Sequence, residues 1–459
     1  MTSFRLFPAI FIAIAALNLS DAGAQAQTLP DIHSAVSTQQ VKLNVHFLSS
    51  DELRGRDTGS PEIDIAAAYI ANWFRAHGAE PAYRDSSYYQ HVPFEQRSIP
   101  EEVTFSVGDS TYQKDTDLIL MNSFIGELDG EVVYLNHATE EELAENDVEG
   151  KIILTNAGLP GQRSPQQFFT SSAQKNARAA EAGATAIIEL YSSPAAPWPM
   201  LVIFLSRARL EISDSTNSET SIPQLWMSNP TDSRNDFLTG SSGKTASLTI
   251  VGEPNSTFTS RNVIGIVEGC DPYLKNEYVM LSAHYDHVGV RPGEESGDFI
   301  YNGARDNAVG TAGIMAAAAF FAEHPPKRSV IFAAWTAEEK GLLGSRYYAE
   351  NPAIPLRQTV YNLNIDGAGY NDSTKVTVIG LGRTEADPEL RAAAEAFGLE
   401  AIPDPVPEQN LFDRSDNVNF ATRGIPSPTY SMGLTAFDEE INYYSHRVTD
   451  EAVTLDFDY

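Results

Sequence analysis

The chain switches between two kinds of hydrophobic spacing. Over residues 62–77, Ile63, Ala66, Ile70, Trp73 and Phe74 share one stripe at helical intervals, which predicts a helix. Ser60-Pro61 supplies a start signal and Gly78 a stop. Residues 103–107 read as a strand. Between about 122 and 252 a second unit is expected, with strands at 130–135, 150–154, 183–188 and 222–225, a helix at 173–182 and a Ser/Pro-rich loop at 192–197. From residue 260 the pattern becomes strands alternating with helices. Strands are predicted at 262–267, 278–281, 329–335, 361–365, 375–379 and 427–431, and helices at 308–323 and 388–397. The run Ser329-Val330-Ile331-Phe332-Ala333-Ala334-Trp335 is almost wholly apolar, as expected of a strand covered on both faces. The pattern predicts an α/β fold with a mixed, mostly parallel sheet flanked by helices.

A chain of 459 residues, 42% hydrophobic and 20% charged, has room for a large α/β core plus one smaller module. The N-terminus reads as a targeting segment. Arg5 precedes an apolar run over residues 6–17, and Ala22-Gly23-Ala24-Gln25-Ala26 offers a cleavage site, placed after about Ala26. That run is shorter than the ~20 residues a membrane span needs, so an exported, soluble mature protein is expected, periplasmic or extracellular. Cys270 is the only cysteine, which rules out an intrachain disulfide and leaves core burial and bound metal to stabilise the fold. The formal net charge of −31 repels phosphate backbones and anionic lipid, arguing against nucleic-acid or membrane-surface partners.

Polar clusters then stand out where strands are predicted to end, the edge at which open α/β sheets bind ligands. The first is His284-Tyr285-Asp286-His287, in which His284 and Asp286 share a face of extended chain, so that one can bind metal while the other orients it. The second is the turn at Asp306-Asn307. The third is Glu338-Glu339, adjacent carboxylates of which one can ligate metal while the other faces substrate. The fourth is Asp366, and the fifth is His446, with Asp450 four residues on. Each is weak alone. Together, two imidazoles and three carboxylates suit zinc. Two Zn²⁺ ions balance three carboxylates and one hydroxide. Such a pair, ~3.5–4 Å apart, lowers the pKa of a shared water. The remaining glutamate is then available as general base and later as acid to the leaving amine. His287 reads as cleft lining rather than as a sixth donor.

The order His-x-Asp, Asp-Asn, Glu-Glu, Asp-Gly, His resembles the zinc aminopeptidases of peptidase family M28. Gly55-Arg56-Asp57-Thr58-Gly59-Ser60, Arg261-Asn262-Val263 and Arg414-Ser415-Asp416 match as well, so the likeness covers nearly all of the mature chain. The resemblance implies a three-layer zinc-peptidase sandwich, with residues 27–121 and 253–459 forming the catalytic domain. Residues 122–252 would be a smaller, β-rich protease-associated insert. It implies that Asp306 bridges two Zn²⁺ ions, that His284 and Asp366 complete one site, and that Glu339 and His446 complete the other. Glu338 would be the general base acting on a metal-bridging water, Asp286 would support His284, and the Asp306-Asn307 peptide bond would be cis. The substrate would be a peptide with a free N-terminus, cleaved at its first bond, its ammonium meeting Glu338 or Asp286. The family more often has His where this chain has Asn417, in the loop over residues 410–420. Relatives usually continue into a closing helix beyond the last ligand. Without one, apolar surface over residues 453–457 is expected to be exposed.

Three other readings compete. A single-zinc glutaminyl cyclase shares the fold and much of the ligand set, but the insert argues against it. A carboxypeptidase needs a cationic clamp, for which Arg305, Arg414 and Arg447 are candidates. A binding module without catalysis would lack ligands, whereas here all five positions and the base are filled.

Overall fold

The computed structural model describes residues 36–459 apart from 84–85, 163–164, 193–195, 214–220, 230–233, 235–236, 238–239 and 293–295. The expected targeting segment, residues 1–26, lies outside the described residues. The chain divides into two units: residues up to Pro93 together with Thr259–Tyr459, and Phe94–Phe258.

The first unit opens with helices α1 (Thr38–Leu48) and α2 (Pro61–Ala76). The predicted caps of α2 are in place. The Ser60 side chain accepts from Ile63 N–H at 3.3 Å, and Gly78 turns with φ +85°. A cap of this kind contributes about 1 kcal/mol. Then follow β1 (Ser256–Val267), β2 (Tyr278–His284), α3 (Val309–Glu323), β3 (Ser329–Trp335), α4 (Leu343–Glu350), β4 (Thr359–Ile365), β5 (Lys375–Ile379), α5 (Asp387–Ala396), β6 (Glu400–Pro403), β7 (Thr429–Met432) and α6 (Glu439–Tyr444).

These strands are ordered β6-β5-β7-β4-β2-β3-β1. Parallel pairing joins β3, β2, β4 and β7 in turn, and also β5 to β6; β1 and β5 run against β3 and β7. The sheet is therefore mixed, as the spacing predicts. Alternation along β3 explains its apolar sequence. Val330, Phe332 and Ala334 enter one buried cluster with α1, α2, α3 and α5, while Ile331, Ala333 and Trp335 enter another with Tyr348 and Phe420. Burying a side chain such as Phe332 stabilises the fold by roughly 1.5–3 kcal/mol. Helix α3 has no polar face because it is enclosed: Gly310 and Ala312 to Ala318 are all buried.

Register fixes which residues meet at the sheet edge. His284 of β2 pairs with Trp335 of β3, and Ser282 with Asn364 of β4. The residues just past these strands, Glu338, Glu339 and Asp366, therefore emerge beside His284.

The second unit holds a sheet of Ser110–Gln113, Glu102–Val107, Thr245–Val251, Gly126–Tyr134, Ile152–Asn156, Ala186–Tyr191, Gln224–Ser228 and Leu118–Leu120, in that spatial order. It begins at Phe94 rather than near 122 because Glu102–Val107 pairs with Thr245–Val251 and Leu118–Leu120 with Gln224–Ser228. Its strands from Gly126–Tyr134 to Gln224–Ser228 are parallel, and helix Pro165–Glu181 belongs to this unit, so it is α/β over part of its extent rather than simply β-rich. Trp198–Leu205, after the Ser/Pro-rich stretch, is a further helix that the spacing does not predict. Among the described residues, no helix is long and apolar enough to cross a membrane.

At the other end of the first unit, Val453 is 80% exposed, as expected for the apolar residues over 453–457. Leu455 and Phe457 are instead half-buried against the core, with Phe457 stacked on His46 at 5.8 Å.

Candidate metal centre

Five side chains from separate segments converge at the carboxyl edge of the sheet. They form two groups of potential donors that share Asp306. In the first, His284 Nε2 lies 3.2 Å from Asp306 Oδ1 and 3.3 Å from Asp366 Oδ1. In the second, His446 Nε2 lies 3.1 Å from Asp306 Oδ2 and 3.2 Å from Glu339 Oε1. The two oxygens of one carboxylate thus face different groups. His287, which the sequence leaves as cleft lining, joins the second group, with Nδ1 2.7 Å from Glu339 Oε1.

Each donor is held by groups the fold brings up behind it. His284 ends β2, and its Nδ1 meets the Asp286 main-chain oxygen at 3.2 Å. The Asp286 carboxylate stands off at 3.8 Å from the same nitrogen. It instead accepts from Glu338 N–H at 3.1 Å, Glu339 N–H at 3.3 Å and Thr58 Oγ1 at 3.3 Å. Asp286 therefore supports His284 through its backbone, and its carboxylate fixes the Glu338-Glu339 turn. Fully buried and so engaged, that carboxylate is not free to meet a substrate ammonium.

The Asp306-Asn307 peptide bond is cis, as the resemblance implies. Asn307 Nδ2 donates to Ile365 O at 2.7 Å, tying this turn to the end of β4. Asp366 accepts from the Ser415 hydroxyl, and Ser415 Oγ also takes an N–H from Asn364 at 2.7 Å. Asn262 accepts from Thr336 N–H at 3.1 Å, just past β3. Asn417 is buried, and its Nδ2 donates to Ser427 O at 3.3 Å. Arg56 is completely buried, its guanidinium donating to the main-chain oxygens of Leu48, Tyr285, Asn302 and Gly303. Burial brings its pKa down to about 10.

The electrostatics separate the two adjacent glutamates. Burial raises Glu338 well above the ordinary carboxylate range, and Asp366, Asp416 and Glu339 add to the rise. Burial and Asp306 push Glu339 upward as well, but the His287 and His446 rings beside it prevail and bring it down to about 2. Asp306, likewise buried, is held well below its usual range by His284 and His446. The Asp306 and Glu339 carboxylates beside it raise His446 to about 10. Burial raises Asp416 to about 7. Neighbouring groups whose pKa values are pushed apart mark acid–base function.

The residues fit a metal centre. Glu339 Oε1 and both nitrogens of His287 are buried without a hydrogen-bond partner, and a cation among these donors would satisfy Glu339 Oε1 and His287 Nδ1. Asp450, Asp416 and Arg56, which the sequence offers only as members of polar motifs, are all buried in the structure. Only their place in polar motifs beside the donors could have raised them.

Fold and site together define an α/β protein with a paired imidazole–carboxylate centre. Residues 262–458 match the family model of Peptidase family M28. Aminopeptidase YwaD of Bacillus subtilis (strain 168) is 30% identical over 192 residues, which is 40% of this chain and 38% of that protein. Leucine aminopeptidase 2 of Trichophyton equinum is 40% identical over 93 residues, 20% of this chain and 16% of that protein. These matches span well under half the length of the curated relatives. Among solved structures, the aminopeptidase from Aneurinibacillus sp. strain AM-1 is similar with a TM-score of 0.51 and 21% identity, covering 92% of this chain and 90% of that one, which shows a shared fold.

Proposed function

We propose that the protein is an exported dizinc aminopeptidase that hydrolyses the first peptide bond of peptides with a free N-terminus. One observation carries the reading: five side chains distant in sequence form two donor groups joined by Asp306. In this reading His284 and Asp366 hold one zinc ion, Glu339 and His446 hold the other, and Asp306 serves both. When bound, the ions would lower the pKa of water and polarise the scissile carbonyl. Glu338 holds the proton. It takes a proton from the attacking water and returns it to the leaving amine, and burial, which raises its pKa, supports a role in proton transfer. Asp286 keeps Glu338 and Glu339 in place through their N–H groups.

The substrate ammonium is then left to Glu338. The carboxypeptidase alternative loses one clamp, because Arg305 is buried and committed to Asp450 at 3.2 Å and to Thr454. The unit Phe94–Phe258 takes the role of a protease-associated insert. The segment Ala22-Gly23-Ala24-Gln25-Ala26 supports export, and the net charge of −31 supports the absence of nucleic-acid and membrane-surface partners. The test is a peptide panel assayed with the amine free or acetylated, alongside metal analysis. Acetylation is expected to abolish turnover, with two zinc ions per chain; undiminished cleavage of the blocked peptides would sink the assignment.

A further inference from the structure

The second donor group contains a side chain to which the five-donor reading gives no task. His287 is fully buried, and neither of its ring nitrogens has a hydrogen-bond partner. Burying such groups unpaired costs free energy, so the ring calls for a partner. Nδ1 lies 2.7 Å from Glu339 Oε1 and 3.9 Å from Asp306 Oδ2. Glu339 Oε1 is unpartnered as well, so the two near atoms are not aligned as donor and acceptor. They face a common point instead.

His446 Nε2 reaches the same two oxygens at 3.1 and 3.2 Å, and the two imidazoles meet edge to face with centroids 5.5 Å apart. Donors of one zinc ion at ~2.0–2.1 Å stand ~3–3.5 Å apart, a spacing that these separations bracket. Room for the ring is specifically provided. Gly303 has φ +60°, and a Cβ there would fall 2.6 Å from the His287 ring and 2.3 Å from Asp306 O.

We propose that His287 is a sixth metal donor, its Nδ1 completing the His446 group as a site of two imidazoles and two carboxylates. This rests on the dizinc reading above. The centre is then unequal. His284, Asp306 and Asp366 offer three donors with one imidazole, whereas His287, Asp306, Glu339 and His446 offer four with two. Imidazole suits zinc, so the second half keeps its ion at concentrations that empty the first.

The test combines a crystal structure of the zinc-loaded protein with zinc titration of the metal-free wild type and His287→Leu, their folds compared by circular dichroism. The expected structure has His287 Nδ1 at about 2.0–2.2 Å from one ion. The expected titration of the wild type has two unequal steps, and in His287→Leu the tighter step weakens by more than ~100-fold, beyond the range for loss of an orienting neighbour. A ring nitrogen more than about 3 Å from both ions, or a smaller loss of affinity, would overturn the proposal while two bound zinc ions leave the dizinc reading standing. A wild type that binds no zinc would end both. If His287→Leu does not fold, the zinc-loaded wild-type structure decides by itself.

Discussion

The carboxylate of Asp450 accepts the main-chain N–H of Asp306 at 3.2 Å. It also accepts the Arg305 N–H at 3.0 Å and the Arg305 guanidinium at 3.2 Å. One buried acid four residues beyond His446 therefore sets the direction of the backbone that carries the shared carboxylate, much as outer groups orient ligands in metal sites.

Asp450→Ala is expected to destabilise the fold by about 3–5 kcal/mol, because it leaves the buried Arg305 charge unpaired. Asp450→Asn keeps the shape but also leaves Arg305 without its counter-charge, so a loss of stability is expected there too. It should fold and bind zinc roughly 10–100-fold more weakly. Urea unfolding and competition with a chelating dye measure the two effects. An Asp450→Asn protein with unchanged zinc affinity would show that Asp306 does not depend on this contact.

Glu338 and Asp306 should fail in different ways. Glu338→Gln removes the proton carrier and leaves the donors untouched, so zinc content should persist while kcat falls by about 10²–10⁴. Asp306→Ala removes the carboxylate facing both groups, so bound zinc itself should be lost. Metal analysis beside steady-state kinetics separates the outcomes. Full activity in Glu338→Gln would remove it from the role of base.

Metal binding should be tied to protons. The folded pKa of His446 is raised from 6.5 to about 10 by Asp306 and Glu339. Below pH 10 the metal-free ring is therefore protonated, and an incoming cation must displace that proton. Apparent zinc affinity at this half should rise about tenfold per pH unit from pH 6.5 towards 10. The sign for folding is opposite. A raised pKa on a base means that this contact's stabilisation is complete below pH 6.5 and lost as pH climbs through about 10. Calorimetry in buffers of different ionisation enthalpy counts the released protons; no release at pH 7 would contradict the site as drawn.

The parts of this architecture that were legible in the sequence are those set by local pattern. The run Val330 to Trp335 announces a strand buried on both faces, and Ser60-Pro61 with Gly78 brackets α2 closely. The five donors could be singled out because each lies just past a predicted strand or in a polar turn. What depends on distant pairing was not legible. Glu102–Val107 looks like any strand, and only its partner Thr245–Val251 assigns it to the second unit. The Asp286 carboxylate could not be matched to the Glu338 and Glu339 N–H groups from its spacing to His284. His287 was set aside because its sequence position says nothing of Gly303, whose missing side chain makes room for its ring.

Arg56 clasps carbonyls from segments as distant as Leu48 and Gly303, and the donors themselves extend from His284 to His446. No early portion of a growing polypeptide contains even one complete set of ligands. One candidate donor group is therefore incomplete until Asp366 has been added and the other until His446 has.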